Sequence, residues 1–313
     1  MREAAALAST CVVGMSHVGM SHVGTSRVGT RRVGIAGALA HAALAQSGGR
    51  TRPVPGFEAT GFRLAAGELI WVGHAAPLHP RVALVDVGDA GAAIDRLAID
   101  GGAAIDRLAI DTAHIHAPRA LPELRQTRVD AARAASRAVL RLIGAYEPGG
   151  FATLLVGGCP AFPLSHRADA ALALAEACAE NDAGGFVSAA ARLLGAGSGL
   201  TPSGDDYVGG ALFARRLAGM DERSLGAARD IVALAAARTH AISAALLGDL
   251  ACGSSYAALH GVAEAIAVSG DDTRTWAMDA HMRALAGIGH SSGWDMLAGF
   301  IAGLAGTLDL RRS

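Results

Sequence analysis

The stretch Gly195-Ala196-Gly197-Ser198-Gly199-Leu200-Thr201-Pro202-Ser203-Gly204-Asp205-Asp206 joins a glycine-rich loop to the start of a helix. Glycines at alternate positions allow positive φ angles and let a backbone approach a ligand closely. Thr201-Pro202 predicts one helix start, because Thr is a good N-cap and Pro is preorganised for the first helical position. Ser203 followed by Asp206 predicts another, as a capping box. The sequence alone does not choose between these two registers.

The residues that follow predict a helix over 202–218. Apolar side chains recur at helical spacing from Tyr207 to Leu217, and basic residues precede Gly219. A glycine-rich loop that enters a helix N-terminus directs backbone N–H groups and the positive end of the helix dipole at one point, which suits a phosphate or a carboxylate. The candidate anion-binding residues in this loop are Gly197, Gly199, Thr201, Ser203 and Gly204.

The paired acids Asp205 and Asp206 complicate this interpretation, since two carboxylates in the first turn would repel a bare anion. If the site binds phosphate, both acids are candidate catalytic residues and candidate ligands of a divalent cation, Mg²⁺ or Mn²⁺, that bridges to it. The alternative is that the acids only complement the helix dipole and the glycines only form a tight turn. No cofactor is certain from the sequence.

A second stretch, Gly287-Ile288-Gly289-His290-Ser291-Ser292-Gly293-Trp294-Asp295-Met296-Leu297-Ala298-Gly299, has the same arrangement. Ser203-Gly204-Asp205-Asp206 corresponds to Ser292-Gly293-Trp294-Asp295, and Gly210 corresponds to Gly299. We hypothesise that the two helix starts face one pocket, with Ser291, Ser292, Gly293 and Asp295 as further substrate-binding residues. The alternative is a chance similarity between two capping boxes.

Other side chains could complete such a pocket. His290 is the candidate for proton transfer. The alternative is that its imidazole only stabilises the Gly-Ser loop. Arg238, Thr239 and Ser243 lie on a helix predicted over 222–247, where they could give a polar stripe to the pocket or bond back to their own helix. Arg238 would supply a positive charge and two parallel hydrogen bonds to a carboxylate or phosphate.

The two loops and the segment Arg238-Thr239-His240-Ala241-Ile242-Ser243 together resemble the AllH-type subunit of oxamate carbamoyltransferase over residues 186–307. The sequence departs from the family pattern at Ser198, where Pro is expected, and at His240, where Thr is expected. The resemblance implies one subunit of a multi-subunit enzyme of purine nitrogen metabolism, which passes a carbamoyl group between oxalurate and phosphate to give oxamate and carbamoyl phosphate. It also implies other carbamoyltransferase subunits as partners, in a hetero-oligomer, and a small anionic substrate.

Three alternatives remain open at this point. The chain could be a non-catalytic binding or scaffold subunit whose partners hold the chemistry. It could be a divalent-metal-dependent, phosphate-handling enzyme of another class. The loops could also be purely architectural.

Composition excludes several functions. The net charge is −1, without the basic face that a nucleic-acid-binding protein shows. All 27 basic residues are Arg, which excludes a P-loop lysine, a Schiff-base lysine and a lysine general base. The longest apolar run, Met296–Leu308, is shorter than the roughly 20 residues that span a bilayer, so no membrane association is expected. The four scattered cysteines and a poor signal-peptide pattern favour a cytoplasmic protein with reduced thiols.

The predicted fold class is α+β, with a small β-rich N-terminal domain packed on a larger, mainly α-helical C-terminal domain. Residues 1–34 repeat a five-residue unit that begins Val-Gly and predict a mobile extension. Residues 35–118 predict the β-rich domain, with strands at Glu68–Val72 and Arg81–Val87 and a near-duplication of 91–101 at 102–112. Residues 119–313 predict the helical domain that carries both glycine-rich loops. Its first helix, Leu124–Ile143, is expected to bury Val129, Ala132, Ala135, Val139, Leu140 and Ile143.

Overall fold

A computed structural model describes residues 31–85, 107–111, 113–117, 120–124, 127–267, 275–308 and 310. Nearly all of the five-residue repeat and most of the near-duplication lie outside these described residues. The chain divides into two compact units, Met1–Pro118 and Arg119–Ser313. The first contains a β-sheet and the second is helical, so the α+β prediction is confirmed.

The N-terminal unit is built on a seven-stranded sheet with strand order β2-β3-β4-β5-β1-β6, in which β7 also pairs with β1. Its strands are β1 (Arg31–Gly37), β2 (Arg52–Pro53), β3 (Phe62–Ala65), β4 (Glu68–Gly73), β5 (Val82–Val85), β6 (Leu108–Ala109) and β7 (His114–His116). The two predicted strands correspond to β4 and β5, with residues 86 and 87 outside the described part of the chain. β1 begins at Arg31, inside the segment that the repeat assigned to the extension.

One helix, α1 (Ala38–Ser47), follows β1 directly and covers one face of this sheet. Leu44 of α1 packs with Val33, Ile70, Val85 and other buried side chains of the strands. The sheet core is therefore made of small and β-branched residues, as the sequence of this unit predicts.

The C-terminal unit contains longer helices joined by short loops. They are α2 (Arg128–Ala145), α3 (Ala168–Glu180), α4 (Ala183–Leu193), α5 (Ser203–Ala218), α6 (Glu222–Arg238), α7 (Ala241–Ala251), α8 (Ala257–Ala267), α9 (Thr275–Ala286) and α10 (Ser292–Ala305), with 3₁₀ segments at Gly150–Val156 and Leu164–Arg167. No single helix in the described ranges is both long and apolar enough to cross a membrane. Only α2 and the first 3₁₀ segment, bent by 106°, pass that test as a pair, by length and composition.

Helices α5 and α10 form the centre of this unit and run parallel to each other. Gly299 of α10 approaches the backbone of Tyr207 in α5, and one turn later Gly303 approaches the backbone of Ala211. A Cβ added at Gly299 or Gly303 would lie under 3.0 Å from backbone atoms of α5, and one added at Gly210 would lie equally close to α10. Glycine at these positions thus allows direct backbone contact between the two helices.

The single helix predicted over 222–247 is wrong, because the chain breaks it at Thr239 and His240. Thr239 is extended (φ −125°, ψ 175°) and ends α6. The His240 ring then accepts a hydrogen bond from the Ser243 N–H at 3.4 Å and caps α7. Side-chain capping therefore overrides a helical pattern that is continuous in the sequence.

The helix predicted from Leu124 begins later, at Arg128, because Thr127 caps it by accepting a hydrogen bond from the Asp130 N–H at 3.2 Å. Val129 and Leu140, expected on the buried stripe, are 56% and 36% exposed. The buried face is formed mainly by alanines, which pack closely against the neighbouring helices.

Candidate functional site

The starts of α5 and α10 lie side by side, as expected for two helices that run parallel. Thr201 Oγ1 and Ser292 Oγ are 2.8 Å apart, and Ser203 Oγ and Ser291 Oγ are 3.4 Å apart. The structure therefore brings together the two helix starts that correspond in the sequence, and their hydroxyl groups meet at one point.

The two loops are also built in the same way. Gly204 N–H donates to the Ala196 carbonyl at 2.8 Å, and the corresponding Gly293 N–H donates to the Ile288 carbonyl at 3.0 Å. A Cβ at either glycine would lie under 3.0 Å from a backbone oxygen of the preceding helix. The sequence similarity thus reflects a glycine contact that both helix starts share, although the N-cap residues Pro202 and Ser291 differ in backbone conformation (ψ 137° and −8°).

The hydroxyl groups predicted as helix caps do not cap the helices. Pro202 occupies the N-cap position of α5 and Ser291 that of α10, and neither start has a side-chain capping hydrogen bond. One reason is that loop carbonyls already accept from the N–H group of the second residue of each helix, Gly204 and Gly293. Thr201 and Ser203 can therefore turn toward the other helix start.

Two buried carboxyl groups, Asp206 and Asp295, lie behind these hydroxyls. Asp206 is 6% exposed and Asp295 is fully buried. The hydroxyls of Thr201 and Ser292 act to lower the pKa of Asp206, and those of Ser203 and Ser291 act to lower the pKa of Asp295. Each carboxyl group thus lies near one hydroxyl from each loop, so neither loop completes the arrangement alone.

The pKa of both carboxyl groups is raised, which shifts each of them toward the neutral form. Burial, followed by the nearby charge of Asp295, raises the pKa of Asp206 well above its usual range. Burial raises the pKa of Asp295 to about 7, against hydrogen bonds from the Phe151 N–H and the two serines. The Oδ2 atom of each carboxyl is buried and has no hydrogen-bond partner among the residues that the structure describes. Because a protonated carboxyl group repels an anion less than a carboxylate does, the raised pKa of Asp206 weakens the repulsion toward an anion that the sequence led us to expect.

Asp205 points to a different part of the molecule. Its Oδ1 accepts from the Gly195 N–H at 2.7 Å, and its Oδ2 accepts from the hydroxyls of Thr239 and Ser243, each at 2.6 Å. Asp205 therefore ties the glycine-rich loop to the junction between α6 and α7. This role explains why Thr239 leaves the helix.

The donor set does not favour a divalent cation shared by Asp205 and Asp206. Both oxygens of Asp205 are engaged by protein donors. Across the described ranges, no group of three or more His, Cys, Asp or Glu side chains is placed to hold a metal ion. A cation at this point would also face two helix N-termini, whose partial charge is positive.

We expect Asp205→Asn to lower the free energy of unfolding by about 1–3 kcal/mol, because the amide nitrogen of Asn cannot accept the hydrogen bonds that one carboxylate oxygen receives. Urea unfolding monitored by circular dichroism measures this change. Asp230→Asn, at an exposed position on α6, is the matched control and should change the stability little. Equal stabilities of the two variants would contradict the bracing role of Asp205.

The remaining predicted site residues lie around the edge of this arrangement. Gly197 and Gly199 have φ angles of +113° and +97°, so the loop requires glycine at both positions. Arg238 is exposed and donates to the Ala191 carbonyl, so the structure does not direct it to the helix starts. His290 is exposed and lies directly before Ser291.

Two contributors were missed by the sequence analysis. Phe151 N–H donates to Asp295 Oδ1 at 2.7 Å, and the preceding Gly150, with φ +55°, leaves room for this carboxyl group. Tyr256 is buried, and burial together with the charges of Asp206 and Asp249 raises the pKa of its phenol. The only sequence signal for the Phe151 contact was the Gly149-Gly150 pair, and this pair by itself indicates no more than the end of a helix.

The helical unit thus places two parallel helix starts side by side, with their hydroxyl and carboxyl groups close together. Residues 193–304, about a third of the chain, are similar to the family described as oxamate carbamoyltransferase subunit AllH. This segment contains both loops, and over it the resemblance inferred from the motifs is confirmed. The match supports a carbamoyltransferase-related subunit. No curated protein and no solved structure matches the chain.

Proposed function

We propose that this chain is a cytoplasmic carbamoyltransferase subunit that binds a small anionic substrate at the adjoining starts of α5 and α10. The observation that carries the proposal is the pairing of Thr201 with Ser292 and of Ser203 with Ser291 across these starts. Each helix N-terminus is equivalent to about half a positive charge. Two adjacent N-termini with hydroxyl donors form a binding site that suits a phosphate or a carboxylate.

Several donors remain for such a ligand. Among the described residues, the backbone N–H groups of Ser203 and Ser292 have no acceptor. When the carboxyl groups of Asp206 and Asp295 are protonated, they can donate to the serine and threonine hydroxyls, which can then rotate to donate outward. The buried carboxyl groups therefore support the proposal, since in their protonated form they can donate hydrogen bonds to the hydroxyls that would contact the anion.

The proposed substrates are oxalurate and phosphate, or oxamate and carbamoyl phosphate in the reverse direction. All four carry negative charge, and transfer of a carbamoyl group develops further negative charge on an oxygen in the transition state. Preorganised donors at helix starts stabilise such charge. His290 is the proposed group for proton transfer, from its exposed position next to Ser291.

We expect the purified chain to bind inorganic phosphate and oxamate, and Ser292→Ala to weaken this binding about tenfold. The reason is that a hydrogen bond to a charged group contributes about 1.5 kcal/mol or more. Isothermal titration calorimetry measures the affinities. Ser224→Ala, which removes a hydroxyl in the first turn of α6, is the matched control and should bind as the wild type does. Absence of binding to both anions, or an unchanged affinity of Ser292→Ala, would refute the site.

The alternatives predict different outcomes with the assembled enzyme. A scaffold subunit would bind the anion, and loss of the hydroxyls would leave oxalurate phosphorolysis by the whole complex unchanged. A metal-dependent enzyme would gain affinity for phosphate on addition of Mg²⁺ or Mn²⁺, and Asp206→Asn would abolish this gain. The proposed carbamoyltransferase site loses turnover with Ser292→Ala and binds anions equally with and without these cations.

A further inference from the structure

A groove on the surface of the helical unit lies outside the site described above. It has a volume of about 620 Å³ and lies between the outer face of α2 and the end of α10. The residues that carry the argument below are Val129, Arg133, Arg137 and Leu140 on α2, with Leu304 and Leu310 on the opposite wall.

The α2 side of the groove is a continuous helical face. Val129, Arg133, Arg137 and Leu140 follow at spacings of four, four and three residues, which places all of them on one side of the helix. Val129 is 56% exposed and Leu140 is 36% exposed, although the apolar periodicity of the sequence predicts both as buried. Two exposed apolar residues about three turns apart on one helix face, with charged residues between them, suit a contact with another protein.

The floor of the groove consists of small side chains. Ala132 and Ser136 on α2 and Ala179 and Ala305 opposite them leave the space between the larger residues open. Small residues at the base of a groove allow the backbone of a second helix to approach, while Val129 and Leu140 contact its apolar side chains. The shape therefore fits a helix that lies along α2.

The charges of the groove are positive. Arg133 reaches the Asp130 carboxylate only at 3.7 Å, and for Arg137 no ion pair is found within the described part of the chain. The described lining contains no carboxylate. The third arginine of the groove, Arg128, is held by backbone carbonyls. Its guanidinium donates to Gly303 and Leu304 at the end of α10, at 2.9 and 2.8 Å. Arg133 is thus paired with Asp130, whereas Arg137 presents positive charge on this face between Val129 and Leu140.

We propose that this groove is the docking surface for an acidic amphipathic helix of another subunit of the same enzyme. Charge complementarity favours Asp and Glu on the partner, and the i, i+4, i+8, i+11 pattern on α2 favours a helix. A second copy of this chain is disfavoured, because docking of α2 against α2 would place Arg133 and Arg137 against the same arginines. The existence of a partner subunit rests on the proposed function, whereas the groove does not.

The first test identifies what touches the groove in the assembled complex. The photoreactive residue p-benzoylphenylalanine replaces Val129 in the full chain within its native host, and the cross-linked peptide is sequenced by mass spectrometry. We expect a segment of another subunit with apolar residues at helical spacing and flanking Asp or Glu. The same substitution at Leu172, which is 43% exposed on α3, is the control. Cross-links to a second copy of this chain, to lipid alone, or at the level of the Leu172 control would overturn the proposal.

The second test measures the complex with that subunit by analytical ultracentrifugation. We expect Val129→Asp combined with Arg137→Glu to weaken assembly at least tenfold, and the wild-type affinity to fall with added salt, because charge pairs at the edge of an interface are screened. Leu172→Asp combined with Arg229→Glu makes the same changes at exposed positions away from the groove. The Val129/Arg137 variant should still bind phosphate as the wild type does, so failure here is distinct from failure of the anion site. Wild-type assembly by this variant would refute the docking surface.

Discussion

Gly299→Leu is expected to prevent stable folding of the helical unit. A Cβ at this position would lie under 3.0 Å from the backbone of Tyr207, and both helices are buried there, so neither can move aside. Overpacking of a rigid core costs about 3 kcal/mol or more, which is a large share of the roughly 5–15 kcal/mol that stabilises a typical domain. The measurement is thermal unfolding followed by near-ultraviolet circular dichroism.

Gly226→Ala is the matched control for this prediction. Gly226 lies within α6, and no atom outside its own helix is within 4 Å of the position that its Cβ would take. Replacement by Ala should stabilise the protein by about 0.5–1 kcal/mol, because Gly in a helix interior is unfavourable. A Gly299→Leu variant that melts at the wild-type temperature would show that α5 and α10 are not in backbone contact.

The stability of the helical unit is expected to fall as the pH rises from about 4 to about 7, through the buried carboxyl groups. The folded pKa of Asp295 is about 7, whereas an unfolded Asp titrates near 3.8. Between these values the folded state binds more protons than the unfolded state, so the unfolding free energy decreases with pH. Below about pH 4 the contribution of Asp295 to the unfolding free energy is at its most favourable. Above about pH 7 the carboxyl group is ionised in both states, and the unfolding free energy has fallen by the full cost of burying that charge. The pKa of Asp206 is shifted in the same direction and adds to the effect.

Asp295→Asn tests this linkage, because Asn keeps the shape of the side chain and stays neutral. One pKa unit corresponds to about 1.4 kcal/mol, so the variant should gain on the order of a few kcal/mol relative to the wild type between pH 4 and pH 8. Urea unfolding of the wild type and the variant at a series of pH values gives this difference. A wild-type minus variant difference that is constant with pH would mean that Asp295 is ionised in the folded protein.

Much of the helical site could be predicted because its signals are local. The two loops have glycines at positions that require positive φ or close backbone approach, as at Gly197 and Gly293, and these requirements are visible in the sequence. The correspondence between Asp206 and Asp295 also came from the sequence. It could not show that their hydroxyl partners are exchanged between the loops, since this depends on how two distant helices pack.

Other features could not be predicted because long-range contacts compete with local patterns. Thr239 has a helical sequence context, but the carboxylate of Asp205, which comes 34 residues earlier, holds its hydroxyl and ends α6. The contact between Phe151 and Asp295 joins residues 144 positions apart. Val129 lies on the predicted buried stripe and is exposed, because periodicity reports that a face is apolar and does not report which molecule covers it.

The parallel direction of α5 and α10 has an electrostatic consequence for the whole unit. Dipoles aligned side by side repel, and the backbone contacts at Gly299 and Gly303 hold these two at short range. A negatively charged molecule at their common positive end would be attracted by both dipoles and would offset part of this repulsion. If the proposed anion binds there, its occupancy and the folding stability of the helical unit are thermodynamically linked, and the anion acts as a counter-ion of the helical core.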